Sequence, residues 1–283
     1  MHDALLFVFM EVLRIIYFCT MKHGVVCILS LLFLSPAFAQ VRMEKLIIRT
    51  NQSFELKGSD ILVVDTLIMM DSASIILNKD KADNFIHAKV ARIGQACRII
   101  GKGEDGQNGK TGLPGFTQDG PCKNGTSGTS GTRGTSAYAG VNLYLYFTEL
   151  SIKDKLLIEL SGGSGGDGGR GGAGGGGSPG TRLCQGGNGG DGGNGAEGGN
   201  GGDGGDLTIS CKLCPDLRSW LGNKLIVRSF GGNAGLGGDG GYGGSAGLVS
   251  SGNNAKDGEQ GTRGQMGKSG EPGKNGAIEF QQN

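Results

Sequence analysis

Between residues 41 and 100 the apolar residues come in short runs, Leu46–Ile48, Ile61–Val64, Leu67–Met70 and Ser74–Leu77, separated by Asp, Asn, Ser and Lys. Aliphatic and β-branched runs of this length, bounded by turn residues, predict strands. A weak internal repeat accompanies them at a spacing of 23: Val63, Leu67, Met70, Ala73, Ile76 and Leu77 fall on Ile86, Val90, Ile93, Ala96, Ile99 and Ile100. Such a period predicts stacked rungs of a short parallel β-solenoid, each burying its apolar side on the next.

From Gly103 the period becomes three. Glycines fall at 103, 106, 109, 112 and 115, then at 125, 128, 131 and 134, with Ala137 standing in before Gly140. Doublets follow, in Gly-Gly-x triplets from 162 and from 186 to 206, and again over 231–248; single-glycine triplets return over 258–278. A left-handed extended helix has three residues per turn and rises ~3.1 Å per residue, so positions i, i+3 and i+6 form one straight edge. A glycine edge lets another backbone approach closely. Gly-Gly-x tracts therefore present two bare edges and can touch neighbours on two sides, whereas Gly-x-y tracts present one and belong at a margin or in a collagen triplex. Such helices have no internal hydrogen bonds, and their backbone groups must find partners in adjacent chains.

Strand-like runs alternate with these tracts: Val141–Phe147, Lys155–Leu160, Leu207–Cys211, Lys224–Phe230 and Ala277–Phe280. Phe116–Asn124, Gly177–Gln185 and Val249–Asp257 read as polar loops. The unit of strand, tract out, loop, tract back and strand occurs three times. The expected fold is mainly β plus polyglycine II. A short parallel β-solenoid-like base over 40–100 carries a six-tract polyglycine/polyproline-II helix bundle over 101–278, with almost no α-helix and a C-terminal tail at 279–283. Pro215, Leu217, Trp220 and Leu221 predict one short helix with Gly222 past its end, and Trp220 is expected to cover the apolar edge of the base.

Composition sharpens this reading. All but three of the 60 glycines follow residue 100, and six prolines are too few for a conventional collagen. The balance of 27 Lys+Arg against 26 Asp+Glu gives no field that would draw nucleic acid or an anionic membrane. At the N-terminus, Met21, Lys22 and His23 precede an apolar run from Val25 to Leu34 and an Ala37-Phe38-Ala39 cleavage site. That is a secretory signal, placing the mature start at Gln40 and making 1–39 the export region. Met21 is the expected initiator; the alternative is a membrane helix over 4–19, a little short for ~30 Å of hydrocarbon. The mature chain is expected to be secreted or held at the cell surface without a transmembrane anchor.

Gly258-Glu259-Gln260-Gly261-Thr262-Arg263 and Gly270-Glu271-Pro272-Gly273 resemble the collagen-like repeats of secreted proteins. The doublet tracts are similar to the polyglycine-II bundles of certain phage tail-tip adhesins and of snow-flea antifreeze proteins. The likeness is one of repeat type over 101–278 and carries no functional residue across. The adhesins imply recognition by loops at bundle tips; the antifreeze proteins imply a flat binding face.

Motifs that suggest chemistry dissolve on inspection. Gly101-Lys102-Gly103-Glu104-Asp105-Gly106 matches G-x-G-x-x-G, but a dinucleotide site needs a helix next and here the threefold period continues. Gly186–Asn194 begins like a calcium-binding nonapeptide, yet Gly193 occupies its large apolar position. Asp167, Asp191, Asp203 and Asp239 are read as solvated outer edges, with weak incidental calcium binding left open. Thr126, Thr129, Thr132 and Thr135 stand in one file at ~9.3 Å intervals, either a polar solvent edge or an ice- or carbohydrate-facing ladder. Cys211-Lys212-Leu213-Cys214 lacks the second pair a zinc site needs. In an exported chain, Cys97, Cys122, Cys184, Cys211 and Cys214 are disulfide candidates with one thiol left over. Loops at a common far end would bring Cys122 to Cys184, leaving one pair among Cys97, Cys211 and Cys214. His87 is the only histidine after residue 39, so neither triad nor acid–base chemistry has a set of residues to work with.

The expected function is a secreted, non-enzymatic structural or surface-adhesion protein, without cofactor or metal. Its partners would be cell-surface or matrix components, and a monomer is favoured over a collagen-like trimer. The alternatives are a collagen-like trimeric stalk of an extracellular matrix, with Gly258–Gly276 as triplex, and an ice-binding protein.

Overall fold

The computed structural model describes residues 41–214, 217–250 and 255–281; the export region lies outside them. The strands, in chain order, are β1 (Val41–Ile48), β2 (Ser53–Glu55), β3 (Ile61–Met69), β4 (Ser74–Ile76), β5 (Asp83–Ile93), β6 (Cys97–Ile100), β7 (Asn142–Ile152), β8 (Leu156–Glu159), β9 (Leu207–Cys211), β10 (Leu225–Arg228) and β11 (Ile278–Gln281). Odd-numbered strands form one sheet in the order β1-β3-β5-β7-β9-β11, and even-numbered strands form the other, β10-β8-β6-β4-β2. Every pairing is parallel. The chain thus alternates between two sheets, and each long and short strand together make one turn of a coil. The architecture is mainly β; its one described helical segment is a 3-10 turn at Leu217–Trp220, closed by Gly222 at φ +80°.

Aliphatic rows run across the turns and form the core. Leu62, Ile86, Leu145 and Ile209 lie in register in the first sheet, and Ile75, Ile99 and Ile158 in the second, all buried. The long strands change parity once, at Asp65–Thr66, Lys89–Val90 and Thr148–Glu149, where two successive residues lie outside the core. This bend explains a correction to the internal repeat. The pairing offset is 24, with Leu62 opposite Ile86 and Ile75 opposite Ile99, not 23. A one-residue slip moves every side chain to the other face. Because each long strand holds apolar residues on both parities, the wrong offset still aligned them.

Trp220 packs partly buried against the core. The last strand runs on to Gln281, so the segment expected as a tail from Glu279 completes the sheet instead. Cys97 sits fully buried, its Sγ 3.1 Å from the Met70 carbonyl oxygen, and burial pushes its thiol pKa up. Cys97 is therefore expected to resist iodoacetamide at pH 8 in the native protein and to react once the chain is denatured. Mass spectrometry of the labelled protein checks this; native-state labelling would place the thiol outside the core.

In the first turns, the corner from short strand to next long strand is brief, 56–60 and 77–82. From β6 onward the same corner opens into three long arms, 101–141, 160–206 and 229–277, and the pairing offset lengthens from 24 to 59 and 64. Outgoing segments stack in parallel: Gly103 N–H donates to the Ser161 carbonyl at 2.9 Å, Gly106 to Ser164, and Gly162 to Phe230, repeating at every third residue. Return segments do likewise, from Gly125 to Asn188 and from Gly186 to Lys256. Antiparallel bonds join the two columns, as from Gly163 to Tyr138 O, Gly187 to Ser178 O and Gly232 to Gly202 O.

Neighbour geometry accounts for the two kinds of triplet at the extremes of enclosure; between them, 125–140 and 231–248 each bond to three segments, the first with single glycines and the second with doublets. Segment 161–178 bonds to 101–116, 125–140, 186–206 and 231–248, and 186–206 is equally enclosed; both are doublet tracts. Segments 101–116 and 258–276, at the ends of the stack, carry single glycines.

Candidate binding faces of the arms

Registered stacking turns three-residue spacing into rows of side chains. On the return column, offsets of 64 and 71 align Ser127 with Asp191 and Thr262, and Arg133 with Glu197 and Lys268. On the outgoing column, offsets of 59 and 69 align Thr111 with Arg170 and Asp239, and Pro114 with Ala173 and Tyr242. Each column thus presents a broad, corrugated face.

The outward residue of each triplet has an N–H with no glycine edge opposite it. Asp and Asn side chains of the preceding layer answer that donor. Asn188, Asp191, Asn194, Asn200, Asp203 and Asp206 accept from the backbone N–H of Glu259, Thr262, Gln265, Glu271, Lys274 and Ala277 at 2.6–2.9 Å. On the other face Asp105 accepts from Ser164, Asn108 from Asp167 and Asp167 from Leu236, at 2.7–2.8 Å. One methylene sets the reach; Glu197, a carbon longer, instead pairs with Arg133 at 3.1 Å. Asp167, Asp191 and Asp203 are exposed, as solvated outer edges should be, and they also cap the next layer, while Asp239 pairs with Arg170 at 3.4 Å. The signal was present in the sequence as Asx recurring at outward positions of successive tracts. Among the described residues, no group of three His, Cys, Asp or Glu side chains is placed to hold a metal ion.

Asp191 also accepts from the Thr262 hydroxyl at 2.7 Å, and that bond, with the Thr262 N–H, holds its carboxyl below the usual carboxylate range. A depressed pKa in the folded state contributes stability above the ordinary value of ~3.9, which is lost as pH falls through the lower folded value. Asp191→Asn keeps an acceptor oxygen, as Asn188 and Asn194 show, but removes the titration. Its melting temperature is therefore expected to fall less steeply than the wild type's between pH 4 and 2, while Asp191→Ala melts lower at neutral pH. Thermal melts across that range check both; parallel curves for Asp191→Asn and wild type would remove the carboxylate from the account.

The threonine file has a structural engagement of its own. Thr126, Thr129, Thr132 and Thr135 accept through Oγ1 from the backbone N–H of Phe116, Leu113, Lys110 and Gln107, each at 2.7 Å, locking the two segments of the first arm together. The N–H groups of Gly103 and Gly106, within the G-x-G-x-x-G match, are likewise donated to Ser161 and Ser164.

Disulfides join Cys122 to Cys184, with Cα atoms 6.1 Å apart, and Cys211 to Cys214, with Cα atoms 5.5 Å apart; Cys97 is the free thiol among the described residues. The first bond links the tips of the first two arms. There Cys122 N–H also donates to the Pro179 carbonyl at 2.9 Å, and Gly180 N–H to that of Leu248 in the third arm at 3.1 Å. No described helix is long and apolar enough to cross a membrane. Comparison of the chain with protein-family models, with curated proteins and with solved structures gives no match.

Proposed function

We propose that this is a secreted, non-enzymatic structural or surface-adhesion protein, a polyglycine-II bundle carried on a β-solenoid base and displaying its faces and tips to cell-surface or matrix components. The observation that carries the reading is the threefold hydrogen-bond register, in which glycine N–H groups of one segment meet carbonyls of the next. That pattern makes the arms plates that display side chains in rows, while the likeness to polyglycine-II adhesins implies recognition by the loops at their tips. The two disulfides favour an oxidising compartment. A monomer is favoured over a collagen triplex because the glycine edge of 258–276 already donates to 231–248 within one chain.

Circular dichroism with sedimentation tests the architecture: a monomer with a polyproline-like spectrum supports it, and a cooperative trimer overturns it. N-terminal sequencing of secreted material should begin at Gln40; a mature chain retaining 1–20 would sink the export step. Retention of the mature protein on cell-envelope or matrix preparations tests adhesion, and no retention on any would overturn that role.

A further inference from the structure

We propose that the outgoing face carries a binding subsite for a neutral saccharide, seated in the groove between Pro114 and Tyr242; this rests on the adhesion reading and names its ligand class. The row Pro114, Ala173, Tyr242 is large, small, large, so it forms two walls over a low floor. Bare backbone at 171–172 and 240–241 continues that floor, and Thr111 and Arg170 close one end. The groove measures about 340 Å³, at the small end of ligand sites and suited to one or two sugar rings.

Two features select the chemistry. Tyr242 is 63% exposed, yet it does not stand alone: the Arg263 guanidinium lies over its ring at 4.8 Å and its Nε–H reaches the Gly240 carbonyl at 3.4 Å. Arg263 is not among the residues lining the groove, so it supports the ring from outside and leaves an aromatic wall facing in. An aromatic surface of this kind suits the apolar C–H face of a pyranose. Charge decides the rest. Arg170 lines the groove, and Asp239, which is not among the lining residues, pairs with it at 3.4 Å, so the guanidinium brings donors to the site with little net charge. Sugar hydroxyls are neutral acceptors, and a vicinal pair can accept from the fork of guanidinium N–H groups. An anion or a cation would meet a charge already neutralised.

The test uses the mature protein with cellotriose and chitotriose as probes, read by saturation-transfer NMR and titration calorimetry. Binding of either probe is expected, weakened about tenfold or more by Tyr242→Ala and retained by Tyr242→Trp, as an aromatic wall requires. Arg170→Met should weaken binding similarly. Both side chains are exposed, and unchanged melting temperatures would show that the fold survives. Failure of both probes to bind, or binding indifferent to Tyr242→Ala, overturns the subsite. The adhesion reading is judged separately: a Tyr242→Ala protein that adheres like wild type rejects the groove and keeps adhesion, whereas a wild type that adheres to nothing rejects the wider reading even if the sugar binds.

Discussion

Gly190→Val is expected to be the most damaging single substitution in the arms, costing about 3 kcal/mol or more of stability. Gly190 lies in 186–206, where its N–H donates to Gly175 O and its carbonyl accepts from Gly244 N–H, both at 2.8 Å. A Cβ at this position would fall on the Thr126 carbonyl of the first arm, with Ser127 N next to it. Both are backbone atoms, and the Thr126 carbonyl is held by the Gly175 N–H at 2.8 Å, so no side chain can swing aside. A branched residue must push the segments apart and break bonds on both sides. The Cβ alone makes this contact, so Gly190→Ala should also destabilise, by less than valine because it lacks the two branch methyls. Ser127→Val, at an exposed outward position, should stay within about 0.5 kcal/mol of wild type. Thermal melts of the three variants decide the matter. Equal melting points would mean that the arms are flexible linkers rather than packed plates.

Removing the tip disulfide is the second large effect expected. Cys122 and Cys184 are separated by 62 residues, and the chain-entropy model assigns such a loop about 4 kcal/mol. For a chain of this size that corresponds to a fall of roughly 8–16 °C in melting temperature for the Cys122→Ser, Cys184→Ser protein. Glycine enlarges the effect, since a glycine-rich unfolded chain has more conformational freedom to lose. Hydrogen exchange should rise first in the loops 116–124 and 177–185, where the bond acts directly. Non-reducing peptide mapping should recover the Cys122–Cys184 peptide. A loop cysteine paired instead with Cys97, Cys211 or Cys214 would put tips and base together and overturn the architecture.

Several elements were legible in the residues alone. The strand Leu207–Cys211 has the limits its apolar run predicts, while β7 extends beyond Phe147 to Ile152 because its apolar pattern resumes, on the other parity, after the bend at Thr148–Glu149. The link between bare edges and position in the stack also followed from local geometry, because a glycine edge has meaning only if a backbone lies against it. The recurrence of Asx at outward positions hinted at a shared role, but the partner of Asp191 was not legible. Its partner Thr262 lies 71 residues away, and nothing near Asp191 in the chain distinguishes a capping carboxylate from a solvated one. The groove was hidden for the same reason: Pro114, Ala173 and Tyr242 come from three different arms.

By itself the sequence determined the three-residue spacing of glycine along the arms and the strands that anchor them. Those properties reside in each triplet and each short apolar run: the absence of a Cβ at a fixed spacing, and the alternation of a strand. The tertiary structure alone decided register: the offset of 24 in place of 23, and then 59, 64, 69 and 71 as the arms lengthen each turn. Register depends on how many residues each arm takes to leave the coil and return, a quantity fixed only when one layer hydrogen-bonds to the next. From it follow the Asx caps, the meeting of Cys122 with Cys184, and the row that sets Tyr242 opposite Pro114.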